Sequence, residues 1–346
     1  MKIVNHIRSA FEKERPFVVY RKPLSEKVTG FFQNSDELFF SLDYEETGFV
    51  FAPFDNRLST ILIPEKHSEL ISEEYNLNAV KKESYFSIVH DSRDEHIDLV
   101  EKTIQKIRHS GIQKIVVSRK EELKINHINY IDVFLKLLHQ YKSAMVYLFY
   151  HPKVGLWLGA TPETLLNISD NKFSTMSLAA TKPYENTLDV SWSAKELEEQ
   201  ALVTKFISSQ LASVSTSLTI EDRETVRAGS MVHLRTLLSG NLNKVQFGLK
   251  NLITILHPTP AVCGFPREAA RAYILSHEGY ERKFYTGFLG EINLNDSSEL
   301  FVNLRCMEVE NSKVFLYVGG GITKDSDAVK EWDETVLKTN TLKKVL

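Results

Sequence analysis

The chain of 346 residues carries 42 lysines and arginines against 45 aspartates and glutamates, a net charge of −3. That balance offers no overall basic field to nucleic acid, and the two cysteines, Cys263 and Cys306, lack the C-x-x-C spacing of a zinc site. No apolar run of roughly 18 residues marks a membrane span, and the start of the chain has charges throughout instead of a signal-peptide core, so a soluble, cytoplasmic protein with no membrane partner is expected.

At ~150 residues per domain the length averages two domains. Residues 1–92 read as one opening helix followed by short strands and turns, with β-rich stretches at 17–20, 38–41 and 48–52 and a polar stretch at 64–85. Ile97, Val100, Ile104 and Ile107 recur at helical spacing over 94–109, and Gly111 ends that helix. A strand is expected at 113–119, a helix at 131–138, and strands at 144–150, 156–160, 164–168 and 173–181. A long helix spans 193–214, and 245–249 is short and helical or irregular. Pro266 suits the first turn of a further helix and Gly279 its C-terminal cap. Strands at 286–294, 299–309 and 313–318 lead to Gly319, Gly320 and Gly321, read as a strand-to-helix turn. Asp325, Ser326 and Asp327 then offer N-caps for a last helix. Strands in runs between long helices imply an α+β fold with largely antiparallel sheets.

Five stretches hold residues suited to chemistry. In the last helix Glu331 and Glu334 share a face at i, i+3. At ~100° per residue they lie opposite an apolar stripe of Val329, Trp332 and Val336. They are therefore either a wet face paired with Lys330 or Lys338, or an acid pair around a cation. Glycines before that helix let backbone N–H groups approach an anion. In the helix from Ser193, Glu196 and Glu199 extend the stripe of Leu202, Val203, Phe206, Ile207 and Leu211. Ser193 and Glu196 match a capping box, which leaves Glu199 unexplained. Four carboxylates from two helices favour a hard divalent ion such as Mg2+. Lys114 shares a strand face with Val116 and Ser118, either as a desolvated base or as a strand-end lysine reaching solvent. Glu163 ends an apolar strand, as a buried general acid or an ordinary turn residue. Arg305, on the 299–309 strand, meets a carboxylate of substrate or of protein. His233 and His257 are isolated, with hydrogen bonding in core or turn as the default.

The segments 114–119, 158–163, 195–203, 256–261, 319–322 and 331–334 together resemble the chorismate-utilising enzymes, in family order across 94–342. The run from His257 to Ala261, followed by Gly264, Phe265, Pro266 and Arg267, is similar to isochorismate synthases in particular. The resemblance implies a chorismate-binding fold of layered, largely antiparallel sheets flanked by helices, with 93–346 as the catalytic region and 1–92 as a variable N-terminal part of the same fold. It implies Mg2+-dependent conversion of chorismate to isochorismate, feeding menaquinone or siderophore synthesis. Lys114 would activate water, Glu163 would protonate the departing hydroxyl, and Glu199 and Glu334 would hold Mg2+ with Glu196 and Glu331. Arg305, Tyr317 and Gly319, Gly320 and Gly321 would grip carboxylates, and Thr181, His257 and Ala261 would line the pocket. A salicylate synthase or a non-catalytic chorismate-binding protein are the alternatives. No glutaminase subunit is expected, and a monomer or weak homo-oligomer is. Two positions depart from the family pattern: Gln200, where histidine is usual, and Ala180, where glycine is.

Overall fold

The computed structural model describes residues 2–75, 86–89, 92–125, 128–243 and 248–346. Two ten-stranded sheets form its centre, and every pairing within them is antiparallel. Their inner faces meet through alternating side chains. Val18 and Tyr20 of the strand Phe17–Arg21, and Met145, Tyr147 and Phe149 of Met145–His151, pack on Phe49, Phe51, Ile61 and Ile63 of the other sheet. The intervening residues, Phe17, Val19, Val146 and Leu148, face outward under the helices Lys2–Glu12 and Tyr130–Gln140. This period of two is what a strand buried on both faces requires. The second sheet is covered by Ala194–Ala212 and Leu249–Leu256. The helices Arg93–Arg108 and Arg267–His277 pack over Ile115, Val117 and Ile322 at one edge of the first sheet.

The expected α+β, layered and antiparallel class holds. Strands from the N-terminal part enter both sheets: Phe17–Arg21, Lys27–Gln33 and Ser68–Glu74 in the first, Phe39–Ser41, Gly48–Ala52 and Thr60–Pro64 in the second. The stretch 245–249 falls largely outside the described residues.

Four local expectations change. The strand Lys313–Ile322 runs straight through the three glycines, which pair with Ser118, Val117 and Val116, so the turn comes only after Ile322. The expected 299–309 strand breaks into Ser297–Val302 and Cys306–Glu310, which belong to different sheets. Arg305 sits in the crossover with φ +48°. In the helix Ala328–Lys343 the buried face is Glu331, Thr335, Thr339 and Leu342, while Val329 is 47% exposed. The apolar stripe loses to a face on which Glu331 and Leu342 line a cavity and Thr335 accepts from Arg119 Nε at 2.8 Å. Finally, residues 215–242, without expected elements, hold Ser215–Ile220, Glu224–Ala228 and Met231–Leu242.

Candidate active site

A cavity of about 390 Å³ lies between the glycine-bearing strand, the second sheet and the helices Ala194–Ala212 and Ala328–Lys343. Each helix is fixed by its start. Ser193 closes a capping box with Glu196, and the Asp327 side chain accepts from the Lys330 N–H. These caps point the first turns of both helices at the cavity, so Glu196, Glu199, Glu331 and Glu334 all line it.

Every one of these carboxylates is met by a different lysine. Glu196 pairs with Lys182 at 3.1 Å, Glu199 with Lys114 at 2.8 Å, Glu331 with Lys195 at 2.9 Å and Glu334 with Lys338 at 2.7 Å. Burial pushes the Glu331 carboxyl up, with the Glu334 charge adding to it and Lys195 opposing. Among the described residues, no three His, Cys, Asp or Glu side chains stand grouped at metal-holding separation. The donors nevertheless have the chemistry of a hard-cation site. They also converge on the bare backbone of neighbouring glycines. A Cβ at position 321 would lie 2.5 Å from Glu199 Oε1, and one at position 320 would lie 3.3 Å from Glu331 Oε2.

Glu163 also lines the cavity and is 3% exposed. Burial pushes its carboxyl up to about 8 against the opposing pull of Lys114, so it is protonated at neutral pH. Lys114, 1% exposed, lies behind the cavity wall with its ammonium on Glu199.

Arg305 enters from the crossover. Its guanidinium donates to Ala228 O at 2.9 Å and meets His233 Nε2 at 2.6 Å, and among the described residues it has no ion pair. The protein carboxylate that an arginine in an apolar run usually meets is therefore not its partner. Burial lowers Arg305 to about 10, still charged at neutral pH. His233 is the residue that sequence reasoning left at its default. Its Nδ1 faces Ala180 O at 2.9 Å, so the Nδ1–H tautomer donates there and leaves Nε2 to accept from Arg305. Burial, with Arg305 beside it, depresses His233 to about 3, which keeps that acceptor available. Ala180 has φ +60°, a region where glycine is the comfortable residue.

Thr181, Ala261, Tyr317, Gly319, Gly320 and Gly321 line the cavity. His257 does not. Its Nε2 is held at 2.9 Å by Thr286 O, and its ring packs against Phe288. Tyr317 contributes its ring alone, because its hydroxyl donates to Glu308 at 2.7 Å. Gln200 donates to Ser177, Thr204 and Thr236, on the sheet side of its helix.

Residues 52–346 match the chorismate binding enzyme family. The chain is 31% identical over 261 residues to isochorismate synthase DhbC of Bacillus subtilis, covering 70% of this chain and 65%, under two thirds, of that protein. It superposes on the DhbC structure from Bacillus anthracis, described as a candidate 2,3-dihydroxybenzoate-specific isochorismate synthase, with TM-score 0.82 and 25% identity over 98% of both chains. MenF, the menaquinone-specific isochorismate synthase of Escherichia coli, shares the fold at TM-score 0.81 and 20% identity, over 96% of this chain and 88% of that one.

Proposed function

Because this chain belongs to the chorismate binding enzyme family, we propose that it is an isochorismate synthase. Water adds to chorismate at the ring carbon beside the carboxylate-bearing one, the ring double bonds shift, and the ring hydroxyl leaves as water. One observation carries this reading. Glu163, a buried carboxyl that burial pushes up to about 8, shares a cavity with Arg305, which has no carboxylate partner among the described residues.

Glu163 delivers the proton to the departing hydroxyl. Lys114, held here as an ammonium on Glu199, takes a proton from water as the neutral amine, once it is released from that contact and has given its extra proton to solvent. Arg305, with both terminal nitrogens oriented by Ala228 O and His233, grips a substrate carboxylate. The backbone of Gly319, Gly320 and Gly321 lines the same cavity, as do Thr181 and Ala261. Glu199 and Glu334 would hold Mg2+, with Glu196 and Glu331 as further acidic positions, and the ion would supply positive charge to the ring carboxylate. Residues 93–346 carry this chemistry, and the described N-terminal strands, Phe17–Arg21 to Ser68–Glu74, complete the two sheets.

The test is incubation with chorismate and Mg2+ and chromatographic separation of products. Isochorismate alone is expected. Salicylate would assign the chain to the pyruvate-eliminating enzymes, and unchanged chorismate would sink the catalytic reading.

A further inference from the structure

The strand Lys114–Ile125 is paired along one edge with Lys313–Ile322 over its whole active-site length. Its other edge is incomplete. Gly264 and Phe265 pair with Ile115 and Lys114, and Phe86–Ile88 pairs from Leu123 onward. Between them, from Val116 to Glu122, no described strand covers the edge, and the Val116 N–H there donates to Cys263 O at 2.8 Å. An uncovered N–H or C=O inside the protein is costly.

A side-chain ion pair stands there. Glu278 Oε1 accepts from the Ser118 N–H at 2.8 Å and from the Ser118 hydroxyl at 2.9 Å. Arg282 donates from Nη2 to Val116 O at 2.6 Å and from Nε to Glu278 Oε2 at 2.7 Å. Its Nη1 donates to Val262 O and Thr286 Oγ1, both at 3.0 Å. The two side chains are 2% and 1% exposed, and the guanidinium lies 4.4 Å from the Phe54 ring centroid. Val116, Val262 and Thr286 all line the cavity. One guanidinium thus ties together three wall segments that are far apart in sequence.

We propose that the Glu278–Arg282 pair is a positioning device for the reacting site: it stands in for the absent strand beside Val116 and Ser118, on the strand that begins with Lys114, and sets the spacing of three cavity walls. The inference rests on the proposed reaction. Neither residue touches the cavity, so both act through Val116, Ser118, Val262 and Thr286. A displacement of a fraction of an ångström at the lysine's strand is enough to slow a reaction that depends on alignment.

The test compares Arg282→Lys with Gln33→Ala. Lysine keeps the charge opposite Glu278 but has three donors where arginine presents five. Gln33→Ala removes two part-buried hydrogen bonds, to Ser35 O and Glu37 O, on a strand remote from the cavity. Denaturation midpoint, kcat, KM and amide hydrogen exchange are measured for each. Arg282→Lys is expected to lower kcat about 10-fold or more, with KM changed less than about 3-fold, and to speed exchange across 114–119. Gln33→Ala is expected to lose stability with kcat within about 2-fold of wild type. An Arg282→Lys protein that loses stability yet keeps kcat and exchange at wild-type values would overturn the proposal. Wild-type exchange decides the matter even if that variant does not fold: the Ser118 amide is expected to exchange as slowly as amides in the paired part of its strand, and rapid exchange there sinks the device. A wild-type protein that leaves chorismate unchanged sinks the reaction, while the exchange data still decide whether the pair holds the strand.

Discussion

At the scale of single residues, the site depends on one carboxyl staying neutral and one guanidinium keeping its fork. Glu163 has its folded pKa raised by burial to about 8. The stability this confers is fully present below the ordinary carboxylate pKa near ~4.5 and is lost as pH rises through 8. Glu163→Gln imitates the neutral acid and escapes that loss. Denaturation at pH 5 and pH 9 should show the variant gaining on wild type as pH rises. Its turnover should fall about 100-fold or more, the usual scale for a lost general acid. A variant no more stable than wild type at pH 9 would show that Glu163 ionises at no cost. Arg305→Lys keeps charge but loses the planar fork that spans Ala228 O and His233. Substrate binding should weaken by roughly 1–3 kcal/mol, the range for a charge-assisted hydrogen bond. An unchanged KM together with unchanged turnover would mean that Arg305 serves the crossover alone.

At the scale of elements, the two capped helices and the glycine strand form a unit. Helix starts place the acid pairs, and the missing side chains on the strand let them close down. Gly321→Ala would put a Cβ 2.5 Å from Glu199 Oε1 and 2.6 Å from Lys114 Cε. Both obstacles are ends of side chains, so the protein should fold while the Glu199–Lys114 pair is pushed aside. Turnover is expected to drop about 10-fold or more with a small change in melting temperature, in line with the cost of misplacing reacting groups. Gly320→Ala meets Glu331 Oε2 at 3.3 Å and should be milder. Equal activity of both alanine variants and wild type would show that the glycines do not set the carboxylate positions. The polar buried face of the last helix follows from the same closure. Glu331 is buried because Lys195 meets it across the cavity, an outcome that helical angles within one segment do not contain.

At the scale of the whole molecule, four histidines among the described residues, His96, His151, His233 and His257, are buried in different places, and burial lowers the pKa of each. His96 and His257 are depressed to about 4 and His233 to about 3, in each case chiefly by burial. A depressed folded pKa means stability that is present above ~6.5 and lost as pH falls through 4 toward 3. Each unfolded histidine binds a proton that its folded form refuses, worth up to about 1.4 kcal/mol per pH unit. Urea denaturation between pH 7.5 and pH 4.5 should therefore show falling stability. His96→Leu, remote from Arg305 and facing Trp332 at the joint of two helices, should flatten the slope. A stability that does not change over that range would contradict the burial of these rings as neutral groups.

The order of residues made the class of fold and most element positions legible, because strand and helix periods are local properties of the chain. It also determined which side chains could do chemistry: the four glutamates, Glu163 and Arg305 stand on short, recognisable spacings and all line one cavity. It did not show the strands in 215–242, where Ser215–Ile220 is polar and largely exposed and carries no clear alternation. Tertiary structure alone decided the pairings. That Glu199 meets Lys114, that Arg305 meets His233 rather than a carboxylate, and that His257 turns away to Thr286 are contacts between residues 29 to 85 positions apart. Such contacts arise only when two sheets and their helices close around a common space. The protonation of Glu163 has the same origin, since burial is a property of the packed molecule and not of the segment that carries the carboxyl.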